Sequence, residues 1–80
     1  LRAEEITVVK KLNLKIPANL INEPIIYKMV TQFNIVPNIL TARLDKDSEG
    51  EVFIEIKGTP ENVEKGIAYL KQIKIEIIEQ

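Results

Sequence analysis

Between Glu51 and Lys57 the chain reads EVFIEIK, with Val52, Ile54 and Ile56 alternating with Glu51, Phe53, Glu55 and Lys57. A period of two fits a strand that buries one face and wets the other, whereas a helix would scatter the same residues around its circumference. Three further stretches share the pattern. From Thr7 to Ile16, Val8, Leu12, Leu14 and Ile16 alternate with Val9, Lys11, Asn13 and Lys15, with Lys10 breaking the series. From Asn38 to Asp45, the alternation puts Leu40, Ala42 and Leu44 on one face and Ile39, Thr41 and Arg43 on the other. In the closing IKIEIIE, Ile73, Ile75 and Ile77 face the core.

Two segments between these strands repeat their apolar residues every three or four positions, the signature of an amphipathic helix. Ile25, Ile26, Met29, Val30 and Phe33 form one such stripe, and Val63, Ile67 and Leu70 form the other. Asn22 is placed to cap the first helix, with Pro24 in its first turn, where a missing N–H removes no helical bond. Thr59 caps the second, Pro60 takes its first position, and Glu61 meets the positive end of its dipole. The residues KDSEG turn the chain between strands two and three.

The order strand, helix, strand, strand, helix, strand amounts to two split βαβ halves joined by right-handed crossovers. It predicts an α+β fold, βαββαβ, with a four-stranded antiparallel sheet in spatial order 4-1-3-2 and both helices on one face. Strand two then lies at an edge. Pro37 suits that place, where its absent N–H costs no ladder bond, and it biases Val36 to an extended conformation that ends helix one. The expected core contains Leu12, Leu14, Met29, Val30, Leu40, Ile54, Ile56, Ile67, Leu70 and Ile75.

Eighty residues suffice for one such domain, 1–80, with 1–6 as a candidate linker. The chain begins with Leu1, which fits a fragment of a longer protein. Cysteine and histidine are absent, removing thiolate nucleophiles, disulfides, imidazole bases and the usual zinc ligands together. The chain is therefore expected to be no enzyme and to carry no cofactor. Eleven basic and 12 acidic residues give a net charge of -1, without the basic footprint of a nucleic-acid binder. No apolar run reaches the roughly 18 residues of a membrane span. The lack of disulfides favours a cytoplasmic setting.

Asp45, Asp47, Glu49 and Gly50 imitate the start of a calcium loop, but its twelfth position is Ile56 and its flanks are strands, so a hairpin turn is expected there. RNA-binding domains of the same topology stack bases on aromatics of strands one and three; strand three offers only Phe53 and strand one none. No Cys-x-x-Cys loop follows strand one, which excludes a metal chaperone of this topology.

The segments EPIIYKMVTQFNI, GEVFIEIKG and ENVEKGIAYLKQIKIEII, together with the tripeptide Asn38-Ile39-Leu40, resemble the NIL domain, a ferredoxin-like regulatory module named for that tripeptide. The resemblance implies a module attached either to the ATPase subunit of a methionine ABC importer or to a 4Fe-4S ferredoxin. Importer versions tend to carry serine where this chain has Tyr27, in Pro24-Ile25-Ile26-Tyr27, and at this position the chain looks more like the ferredoxin-linked branch. In importers the domain senses methionine where two copies meet, around the strand bearing the motif. Carried over by position, the ligand residues are Asn38, Ile39 and Leu40, with Val36 and Phe33 beside them. The expected partners are a small amino acid, methionine first, and a second copy docked through strand two by Ile39, Thr41, Arg43 and Phe53. The alternative is an interaction module without a metabolite.

Overall fold

The computed structural model of the chain describes residues 6–20, 23–44 and 49–79. Its elements are strand β1 (Val8–Ile16), a 3-10 turn (Ala18–Leu20), helix α1 (Ile25–Phe33), β2 (Val36–Arg43), β3 (Gly50–Gly58), helix α2 (Pro60–Gln72) and β4 (Glu76–Glu79). The strands form one antiparallel sheet in the order β2-β3-β1-β4, so β2 and β4 are its edges. This is the ferredoxin-like arrangement that the alternation predicts.

A single core lies between the sheet and the helices. Leu12, Leu14 and Ile16 of β1 and Val52, Ile54 and Ile56 of β3 meet Ile25, Met29, Val63, Ile67 and Leu70 of the helices. Ile54 is opposite Leu12 on one side and Ile39 on the other, which places it at the centre of the inward face. The outward residues of the same strands, among them Lys11, Asn13, Lys15, Phe53 and Glu55, form an open face.

Two core expectations are corrected. Val30 is 44% exposed. At about 100° per residue it stands roughly 140° round α1 from Ile25, and the buried row runs through Ile25 and Met29 instead. Leu40 is 41% exposed, because β2 carries a β-bulge. Ile39 lies opposite Ile54 and Thr41 opposite Phe53, so Leu40 is the extra residue between two ladder partners. Ile39 is thereby on the helix side of the sheet with Ala42, not on the face of Thr41 and Arg43 as uninterrupted alternation implies.

The helix ends also differ from expectation. Pro24 occupies the N-cap position of α1 and accepts from Lys28 N at 3.0 Å, while Asn22 and the turn residues 45–48 lie outside the described residues. Asn34, in a left-handed conformation (φ 55, ψ 45), ends α1, so termination precedes Val36 and Pro37, which already belong to β2. Ile35, 1% exposed, fills the core between them. Ile73 caps α2 rather than opening β4. Lys74, at φ 74, turns the chain, and Ile75 N donates to Leu70 O at 3.0 Å in a Schellman closure that packs two buried side chains together.

Candidate functional site

The predicted ligand residues divide between the two sides of the sheet. Asn38 is exposed, opposite Glu55 on the open face, and Val36 is opposite Lys57 on that same face. Ile39, 50% exposed, points to the helix side, where it lines an apolar groove of about 210 Å³ with Leu14, Ile25, Tyr27, Leu44 and Val52. Leu40 is the bulge residue between them. Phe33 packs on Tyr69 with ring centroids 5.3 Å apart, which holds it in the helix layer, on the opposite side of the sheet from Asn38. Within one chain, then, Asn38 and Val36 share one side and Ile39 and Phe33 the other.

What unites Asn38, Ile39 and Leu40 is the rim of the sheet. Among the described residues β2 has a neighbour on one side only, so its outer edge presents backbone N–H and C=O groups unused by the ladder. The bulge sits within this edge, and bulges of this kind re-aim side chains next to functional sites. Val36, Ile39 and Leu40 all leave apolar surface along it.

Of the expected docking residues, Thr41, Arg43 and Phe53 do share the open face, and Ile39 does not. Arg43 Nη2 donates to Glu51 Oε1 at 3.2 Å, both groups being solvated. These residues line a shallow hollow of about 430 Å³ together with Asn13, which is opposite Phe53 on β1. Asn13 Oδ1 is shielded from solvent and accepts no hydrogen bond among the described residues. Sequence reasoning placed Asn13 outward but gave it no role; its signal is an uncharged amide between Lys11 and Lys15, in register with the single aromatic of β3. The apolar groove under Ile39 was also missed, because it depends on the bulge. Among the described residues, no helix is long and apolar enough to cross a membrane.

The sequence is 46% identical over 65 residues to a methionine import ATP-binding protein of Protochlamydia amoebophila, a match covering 75% of this chain. The chain spans only 19% of that relative's length. An uncharacterized protein of Synechocystis sp. is 30% identical over 78 residues, covering 96% of this chain and 76% of the relative. Among solved structures, the C-terminal domain of an ABC transporter ATP-binding protein from Enterococcus faecalis superposes with a TM-score of 0.76 at 20% identity, covering 88% of this chain and 81% of that one. The likeness is one of fold. The family model of the NIL domain matches residues 10–79, which takes in most of β1, the other three strands and both helices, and the chain belongs to the NIL domain family.

Proposed function

We propose that this domain is a non-catalytic regulatory module that senses a small apolar amino acid, methionine first, along the β2 edge, and that it works as a homodimer joined through that edge. The observation that carries the reading is the β-bulge at Leu40, inside the family tripeptide and on an edge strand. A bulge weakens a ladder, and its presence within Asn38-Ile39-Leu40 is explained if it presents Asn38 and the flanking backbone to a ligand. An asparagine amide both donates and accepts, which suits the carboxylate or ammonium of an amino acid, and the exposed Ile39 and Leu40 suit an apolar side chain. A second copy paired along β2 would cover the unpaired edge and bring the two Asn38 regions together. The name of the Protochlamydia relative supports methionine as the first ligand to try and an importer ATPase as the parent protein.

A second reading, an interaction module without a metabolite attached to a 4Fe-4S ferredoxin, is favoured by the apolar exposure of Val36, Ile39 and Leu40, which suits a protein contact equally well. Calorimetric titration with methionine and a panel of other amino acids separates the two. Saturable heat with methionine that is lost in Asn38→Ala supports sensing; no heat with any amino acid, alongside a stable dimer by sedimentation, supports the interaction module.

A further inference from the structure

We propose, resting on the amino-acid reading above, that the polar ends of the ligand are held in the open-face hollow, with Asn13 and Arg43 as anchoring residues that the family tripeptide does not include. Three observations converge there. Half-buried Asn13 lines the hollow, and its Oδ1, turned away from solvent, accepts no hydrogen bond among the described residues, so the amide is free to turn. Arg43 and Glu51 pair at 3.2 Å at the rim, both solvated, so a positive and a negative group stand beside the same space. Phe53, in register with both Asn13 and Thr41, also lines the hollow and gives it an aromatic surface.

An α-amino acid matches this pattern end for end. Its carboxylate accepts from the Arg43 guanidinium, which recognises planar anions with two parallel donors. Its ammonium donates to Glu51 and to Asn13 Oδ1, the amide turning about its Cβ–Cγ bond to present the oxygen. The side chain rests on Phe53, a contact that favours a polarisable thioether. The bulge has a definite part in this. With Ile39 opposite Ile54, an unbroken ladder would set Leu40 opposite Phe53 and fill the hollow with its isobutyl group; the bulge sets Thr41 there, smaller and able to hydrogen-bond.

The test is calorimetry on the full chain with L-methionine, L-methioninamide and N-acetyl-L-methionine, comparing wild type with Arg43→Gln, Asn13→Leu and Asn38→Ala. Circular dichroism checks folding, and Asn13→Ser stands in should the leucine variant fail to fold. Arg43→Gln should weaken L-methionine about tenfold or more, the scale of a lost charge-assisted bond, yet leave the affinity for L-methioninamide, which has no carboxylate, unchanged. Asn13→Leu should weaken L-methionine but not N-acetyl-L-methionine. L-methionine bound equally by wild type, Arg43→Gln and Asn13→Leu overturns the hollow, while weakening by Asn38→Ala alone would leave the sensing reading standing. Absence of binding to wild type overturns both.

Discussion

Gly66 of α2 lies directly against the Cδ1 methyl of Ile35, so that a Cβ at position 66 would collide with it. Ile35, in the link between α1 and β2, enters the core only because the facing helix has no side chain there. Alanine is favoured over glycine in a helix by about 1 kcal/mol, whereas overpacking a core costs about 1–3 kcal/mol, so the clash should prevail in the native background. Gly66→Ala is expected to destabilise by about 1 kcal/mol, but to stabilise when introduced into Ile35→Val, which lacks the clashing methyl. Urea denaturation of the four proteins in this cycle reads the change of sign.

Lys74 holds a left-handed conformation, φ 74, at the Schellman closure of α2. That conformation costs an L-residue with a Cβ about 1 kcal/mol that glycine avoids. Lys74→Gly should therefore raise stability by about 0.5–1 kcal/mol without altering the fold, and a fall in the denaturation midpoint would contradict the assigned turn.

Thr59 Oγ1 accepts from Asn62 N at 3.1 Å at the start of α2. Thr59→Ala should cost about 1 kcal/mol, and Thr59→Ser much less, because the hydroxyl is the group that satisfies the free N–H.

Ile54 is fully buried between Leu12 and Ile39, and its truncation to alanine should cost about 2–5 kcal/mol, a large share of what a domain of this size possesses. A loss under about 1 kcal/mol would contradict the register of the central strands.

Deletion of Leu40 tests the bulge itself. The deletion leaves Ile39 opposite Ile54 and Thr41 opposite Phe53 in a continuous ladder, so the domain should fold with the same sheet. Methionine binding should weaken, because the backbone beside Asn38 is straightened, while the hollow, which keeps Thr41 opposite Phe53, retains its contacts. Ile39→Lys acts differently: it should weaken dimerisation and methionine binding together, read by sedimentation and calorimetry on one sample.

The layer structure and strand order were legible because they depend on periodicities that each segment carries within itself. The bulge was not, because an extra residue shifts the count without changing any residue type; Leu40 and Ala42 look like one inward row in the sequence and are separated in the sheet. Ile73 misled for a related reason. It alternates with Ile75 and Ile77 as a strand would, yet it also continues the α2 row of Val63, Ile67 and Leu70, and the helix prevails up to its cap. Ile35 belongs to no periodic run and could be found only from Gly66 across the core. The candidate site was legible as a strand, through the tripeptide, but not as a pair of faces.

The central claim, an amino-acid site along the β2 edge, is tested most directly by titrating the isotope-labelled chain with L-methionine and following backbone amide shifts by NMR. The account predicts saturable shifts concentrated at Asn38 to Arg43 and at Phe53 and Asn13, with the far end of α2 unmoved. Shifts confined to the helix-side groove, or none at millimolar methionine, would contradict it.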